Sequence, residues 1–600
     1  MNTKSVHTFH IPVMGLAYTI DTPIRLAHYG ISSVISIVDD EIIEKMRIFY
    51  SEKFKLKWKP ISTKNLDYRA ERITAYLNLV DDIVNEKFTA FKKDLVRNNE
   101  VLQKFIGMLP DFTPVKTRLL QFISQNSTDT QTLNEYVNTH LSPGSIDVNI
   151  MTKIDKENFR NGEQLKIDYN DAHASLRGFA KSKLSSSVVL SAGFNPKLLS
   201  YIEQFEDFYQ DRNNECKKKI IIKVSDFRSA MVHANFLAKK GLWVSEYRIE
   251  SGLNCGGHAF ATDGFLLGSI LEEFKQRKSD LIASAFALMV TALQHKNKSF
   301  PLEPPMMKIT VQGGIGTAEE HRFLLENYDL DSIGWGSPFL LVPEATSVDS
   351  ETRKLLAQSQ ENDFYLSNIS PLGVPFNTIR NSSNETIMRS KILRKKYGSS
   401  CPKKFLALNK EYSQQGLCTA SKKYQDLKLE ELLTTENHVN LEESAKDQEK
   451  ITEKSCLCVG LVNSAYIEQG IEIKGEKQGV IICPGPNLAY FDKEIPLSKM
   501  IQHIYGHTNI LSDFYRPHFL IKELNLYVDY FLKSIADLSV LNLPEQKKWR
   551  RFRQNILDGI AYYEDLFKHS LFFKLQSKII SGELQKYKLI LEENCSTKIN

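Results

Sequence analysis

Eight short runs rich in β-branched residues, each followed by a longer stretch with helical spacing, constrain this chain more than any other feature. They are HIPVMG from His10, SSVISIV (Ser32 to Val38), SIDVNIM (Ser145 to Met151), SSVVLSA (Ser186 to Ala192), KIIIKV (Lys219 to Val224), LWVSEYRIE (Leu242 to Glu250), MKITVQGG (Met307 to Gly314) and DSIGWGS (Asp331 to Ser337). Stretches such as NPKLLSYIEQFEDFY, DFRSAMVHANFLAKKG and TAEEHRFLLENY lie between them, with apolar residues three and four apart, as in helices with one buried face. Parallel strands need helical crossovers, and eight strand-helix units close into a barrel whose site lies at the C-terminal strand ends. The pattern predicts an α/β fold: a (β/α)8 TIM barrel with a large helical insertion early in the barrel and a mostly helical C-terminal extension. A doubly wound open sheet is the structural competitor.

At 600 residues the chain exceeds a single compact core. Residues 1–40 and 141–343 carry the strand-helix series. Residues 41–140, with EIIEKMRIFY and AERITAYLNLVDDIVNEKFTAFKKDLV, read as an inserted helical subdomain. Residues 344–400 read as a helix followed by irregular chain packing on the barrel. Residues 401–490 mix cysteines, a polar stretch and short strands such as GVIICPGP, and 491–600 are helical.

Lysine and arginine outnumber acids by 77 to 72, a balance too small to call for nucleic acid or a membrane surface. The basic KKWRRFRQ, Lys547 to Gln554, alternates with Trp549 and Phe552 as a helix with one solvated face does. No apolar run approaches the ~20 residues that span a bilayer, and the N-terminus has no signal-peptide pattern. The eight cysteines follow no secreted framework, which predicts reduced thiols in a cytoplasmic protein. Cys401, Cys418, Cys456, Cys458 and Cys483 share one segment, but their spacing matches neither familiar iron–sulfur runs nor a zinc Cys-Xaa-Xaa-Cys. No metal site is expected from them. His503 and His507 stand four apart on a helical pattern, but Gly506 and the absence of acidic residues in that segment predict no metal site there.

Two glycine loops carry the strongest chemical signal: GGIGT (Gly313 to Thr317) and GWGSPF (Gly334 to Phe339), each at the end of a strand. Glycines leave backbone N–H groups uncovered, and the helix starting after Thr317 adds a positive dipole end, so both loops together suit a phosphate. ESGLNCGGHAF follows the sixth strand and projects His258, a candidate proton carrier, after Gly256 and Gly257. Lys223 sits in apolar IIIKV, where an ammonium needs an anionic partner such as a phosphate or an electron-rich ring. Asn149 is a buried strand amide that also needs partners.

PVMG, VNIM, the lysine of IIIKV, GGH, GGIGT and GWGSPFLLVPEAT occur in the order found in the nitronate monooxygenase group of flavin-mononucleotide (FMN) barrels, which the chain resembles. That group includes flavin-dependent enoyl-acyl carrier protein reductases and the barrel component of polyunsaturated fatty acid synthases. ISPLGVPFNTIRNSS, Ile369 to Ser383, resembles the Gly-Xaa-Pro-Xaa-Xaa-Xaa-Xaa-Arg-Asn segment trailing such barrels, so the likeness covers roughly residues 8–40 and 144–383. The resemblance implies FMN held by Met14, Gly15, Asn149, Lys223, Gly256, Gly257, Gly313, Gly314, Gly336 and Ser337, with His258 and Lys223 catalytic. Asn254-Cys255 stands where the group commonly has Glu-Ala before GGH, and the helical insertion is foreign to its compact members. The implied activity is FMN-dependent oxidation or reduction of a small activated carbon substrate. Two alternatives are an enoyl-thioester reductase working with an acyl carrier protein, and a flavin-free barrel serving as a binding or assembly module. A homodimer is the other partner considered.

Overall fold

The computed structural model describes residues 5–111, 113–124, 130–256, 263–435, 441–472, 479–536 and 543–593. Eight strands form the barrel: β1 Phe9–Ile11, β2 Ser32–Ser36, β3 Ile146–Ile150, β4 Ser186–Leu190, β5 Lys218–Val224, β6 Val244–Glu250, β7 Lys308–Gln312 and β8 Ser332–Gly334. Each pairs in parallel with the next, and β8 returns to β1 through Phe9↔Ile333 and His10↔Gly334. That last pairing decides for a closed barrel against an open sheet.

Strand period sorts the side chains. Val148, Val188, Ile220, Ile222, Tyr247, Ile249 and Val311 join the apolar shell between strands and helices. The alternate positions bring polar groups into the lumen: His10, Asp147, Glu246, Arg248 and Thr310 are all buried. Arg248 pairs with Glu246 at 2.7 Å, and Thr310 Oγ1 donates to the same carboxylate at 2.7 Å. Burial pushes the Asp147 carboxyl up and, aided by the charges of Arg248 and Lys308, holds His10 well below the usual histidine range.

Five helices, Asp40–Lys53, Tyr68–Arg97, Asn99–Ile106, Pro114–Ser124 and Thr130–His140, separate β2 from β3. Tyr68–Arg97 lies against the barrel helix Asp171–Lys181. A Cβ on Gly178 would stand 2.8 Å from Ile73 Cβ and 2.9 Å from Ala70 O, and Thr74 Oγ1 donates to Gly178 O at 2.8 Å. The inserted helices thus cover the barrel wall.

After β8 come the helix Ser350–Gln358, a hairpin of β9 Phe364–Ser367 with β10 Phe376–Ile379, and the helix Ser383–Leu393. The hairpin stands where irregular chain was expected. Conversely GVIICPGP forms no strand. It joins no ladder, and its backbone bonds elsewhere: Val480 N to Ser383 Oγ at 2.8 Å, Ile481 N to Gly460 O at 3.0 Å, and Ile482 O accepts the side chain of Thr378 on β10 at 3.3 Å. The C-terminal region contributes Leu497–Ile504, Phe519–Ala536, Leu543–His569 and Ser577–Glu593. In Leu543–His569, Trp549 and Phe552 pack on Phe531 while Lys547, Lys548, Arg550 and Arg551 face solvent. Among the described residues no helix is long and apolar enough to cross a membrane.

Several histidines are buried uncharged. Burial pushes His7 and His518 down to about 4 and His321 to about 3. In the unfolded chain these groups take up protons near the usual 6.5, so the unfolded state binds more protons below that value. Stability is therefore expected to fall between about pH 6.5 and 4, by about 1.4 kcal/mol per pH unit for each titrating histidine. Urea midpoints measured across that range check this; a flat profile refutes it.

Candidate active site at the barrel mouth

The loops after β7 and β8 hold the glycine signal. Gly313 and Gly314 have φ of +112° and +85°, conformations that only glycine adopts without strain. Among the described residues, no acceptor meets the backbone N–H of Gly313, Gly314, Gly336 or Ser337. Gly314 and Ser337 are buried and Gly313 and Gly336 half-buried; buried amides are normally paired, so the two loops present a set of donors that could serve a ligand.

The helix Ala318–Tyr328 does not add its N-terminus to that set, contrary to the expectation from sequence. Thr317 Oγ1 accepts Glu320 N at 3.1 Å, and the Glu320 carboxylate takes Gly316 N at 2.9 Å. The protein's own anion occupies the helix start.

Carbonyls on the same loop are tied from outside. Arg516 Nη2 donates to Gly314 O at 2.8 Å, Asn487 Nδ2 to Ile315 O at 2.8 Å, and His503 Nε2 meets Gly316 O at 2.9 Å. Arg516 also grips Glu320 at 2.6 and 2.9 Å and Asn487 Oδ1 at 2.9 Å. Fixing three successive carbonyls fixes the planes of the peptides that carry the loop's N–H groups.

A second group comes from β5, β6 and β7. One oxygen of Glu250, Oε1, accepts Asn254 Nδ2 at 2.8 Å, Gln312 Nε2 at 2.9 Å and Lys223 Nζ at 3.2 Å. The Lys223 and Glu250 side chains are 13% and 23% exposed, so both reach the opening. Lys223 therefore has its anion within the protein, on the adjacent strand, and its burial does not by itself call for a ligand. Buried Gln312 Oε1 and, on β3, Asn149 Oδ1 have no donor among the described residues.

The loop after β6 leans across the mouth. A Cβ on Gly336 would meet Cys255 Cβ and Pro12 Cγ at 3.3 Å and Met14 Sδ at 3.7 Å; one on Gly313 would meet Asn254 N at 2.8 Å, and one on Gly314 would meet Leu253 Cδ1 at 2.6 Å. Glu523 holds this loop by accepting Ser251 Oγ at 2.8 Å and Gly252 N at 3.1 Å. Outside it, Gly485 N donates to Ser337 Oγ at 3.0 Å and the Cys255 thiol to Cys483 O at 3.2 Å. Met14 is buried; Gly15, at φ +56°, turns the chain beside Tyr18. Gly256 is exposed, while Gly257 and His258 lie outside the described residues.

The structure thus brings Met14, Gly336 and Cys255 together, and Lys223 with Gln312 and Asn254 around Glu250. Sequence reasoning missed Glu250, Gln312, Glu320, Asn487, His503 and Arg516. Glu320 had a local signal, the Thr317-Ala-Glu-Glu320 capping-box spacing.

The chain matches no family model and no curated protein. Fold and site define the class: a closed parallel (β/α)8 barrel with its uncommitted polar groups at the C-terminal strand ends.

Proposed function

We propose that this chain is an FMN-dependent oxidoreductase acting on a small activated carbon substrate. The observation that carries the reading is the set of N–H groups at Gly313, Gly314, Gly336 and Ser337, on the last two strand-helix loops, that meet no acceptor among the described residues. Those loops are the usual phosphate position of such barrels, and N–H bonds to a phosphate are charge-assisted. The unpartnered oxygens of Asn149 and Gln312 suit the N–H edge of a heterocycle. These residues fit the group: the glycine loops and Ser337 would hold its phosphate, and Asn149, Gln312 and Lys223 its ring. When bound, FMN supplies the redox chemistry. Lys223, 3.2 Å from Glu250, would place positive charge at the mouth, and His258 would take or return a proton at the substrate carbon. Free thiols at all described cysteines support a cytoplasmic location.

The absorption spectrum of the purified protein tests the reading, followed by mass analysis of any released chromophore. Bound FMN is the expected result. A protein colourless even after incubation with FMN favours the flavin-free alternative, for which the packing of Leu253 and Asn254 on the glycine loops is the supporting observation. Lys223→Met is expected to weaken FMN binding by about 1.5–3 kcal/mol, roughly 10- to 100-fold, read by fluorescence titration. Unchanged affinity removes Lys223 from the site. Turnover of nitronates against enoyl thioesters separates the substrate classes, and full turnover by a flavin-loaded His258→Ala protein removes His258 from proton transfer.

A further inference from the structure

A second polar site stands outside the glycine loops, between the helices that follow β3 and β4. Asp155 lies on the loop after β3. One of its oxygens accepts Ala172 N at 2.9 Å and His173 N at 3.3 Å, which caps the helix Asp171–Lys181, and the other meets His173 Nδ1 at 2.7 Å. A carboxylate that already accepts two N–H groups is an acceptor for the ring as well. Nδ1 therefore carries the hydrogen, and Nε2 of the neutral ring keeps a lone pair. The His173 side chain is 1% exposed, yet Nε2 meets no donor among the described residues and is not sealed from solvent. The imidazole lines an open cavity of about 420 Å³.

The wall of this cavity is tied from three sides. Arg177 Nη1 donates to Tyr201 Oη at 2.9 Å, joining the helix Asp171–Lys181 to Pro196–Tyr201, and the same guanidinium binds Asp168 O and the carboxylate of Asp67 at the start of the inserted helix Tyr68–Arg97. The rings of His173 and Tyr201 pack with centroids 5.0 Å apart. Capping accounts for Asp155 and for the orientation of the ring, but it leaves Nε2 unused.

The other lining groups select among ligand classes. Asp168 lines the cavity with its carboxylate lacking a donor among the described residues, and Lys197 lines it with no acidic partner among them. An anion would face two acceptors, Nε2 and Asp168. An ammonium would duplicate the charge that Lys197 already brings. A metal ion lacks ligands, since no three His, Cys, Asp or Glu side chains among the described residues are grouped to hold one. A neutral molecule with several hydroxyls suits every group: its O–H donates to Nε2 and to Asp168, its oxygens accept from Lys197, and its C–H faces lie on Ile167, Pro196 and Tyr201.

We propose that this cavity binds a neutral polyhydroxyl compound of the sugar or cyclitol class, with His173 Nε2 accepting one ligand hydroxyl. The site uses none of the residues assigned to FMN, so its occupancy and flavin binding stand or fall separately. Ligand-observed saturation-transfer NMR on the full-length protein tests it, with glucose, myo-inositol and glycerol as probes. At least one probe is expected to bind. His173→Phe, which keeps a ring and removes the acceptor, should weaken that binding roughly 10-fold. Asp168→Ala, at the half-buried rim, should weaken it too, so a fold lost in one variant leaves the other to read. Bound probe should also slow carbethoxylation of His173 by diethyl pyrocarbonate, followed by peptide mapping of the parent protein. Absence of transfer to all three probes overturns the proposal. So does binding that both variants leave unchanged, carbethoxylation of His173 that the bound probe does not slow, or binding of tetramethylammonium or inorganic phosphate in place of the polyols.

Discussion

Gly144→Ala is expected to prevent the barrel from forming. Gly144 stands just before β3, where the chain returns from the inserted helices and passes the entry to β2. A Cβ there would lie 2.0 Å from Ile31 O, 2.2 Å from Ile31 C and 2.7 Å from Ser32 N. These are main-chain atoms of the neighbouring stave, which cannot turn aside as a side chain can. Gly144 N also donates to Ala27 O at 2.7 Å, so the chain cannot back away without losing a buried bond. Ordinary overpacking costs roughly 1–3 kcal/mol; a backbone clash between paired strands belongs with the severe cases, about 4–5 kcal/mol or more. Soluble yield and the urea midpoint report it. A Gly144→Ala protein with the parent midpoint contradicts this account of the β2–β3 approach.

Glu320→Ala is expected to cost about 3–5 kcal/mol, the usual consequence of leaving one member of a buried ion pair alone. Glu320 is 2% exposed and serves Gly316 N, Phe519 N and the Arg516 guanidinium together. Removing it strands Arg516 and loosens the grip on Gly314 O, so under the proposed function flavin affinity should drop with stability. Burial alone would raise the Glu320 carboxyl, but the charge of Arg516, that of His518 and the bonds from Arg516 and Gly316 outweigh it and hold the group below its usual 4.5. The carboxylate's contribution is therefore complete above about pH 4.5 and is lost as pH falls through the lower folded-state value. The stability gap between the parent and Glu320→Gln should close in strong acid, as read by denaturation at stepped pH. A gap that persists unchanged there argues against the ionised carboxylate as its source.

The barrel was legible because its information is local. Each stave announces itself by β-branched runs, and the eight-fold alternation leaves few closures. The polar lumen was also written in LWVSEYRIE, whose Glu246, Arg248 and Glu250 fall on one side at period two. That arrangement answers the question raised by Lys223: its anion comes from the adjacent strand, where Glu250 stands 27 residues further on. The glycines of the mouth were legible for the same reason, since few residues other than glycine tolerate such turns. What fixes their carbonyls was not. Asn487, His503 and Arg516 stand 172 to 202 residues beyond the positions they bind, and nothing in the local spacing of either partner announces the meeting.

The outside ties on the Gly314–Gly316 loop bear on the order in which the protein is completed at the ribosome. When residue 343 has been joined, every stave has been synthesised, yet Asn487, His503 and Arg516 have still to be made. The side chains that fix the Gly314, Ile315 and Gly316 carbonyls therefore follow the whole barrel in the order of synthesis. A fragment cut after β8 would encode all eight staves without the three residues that brace the rim of the mouth.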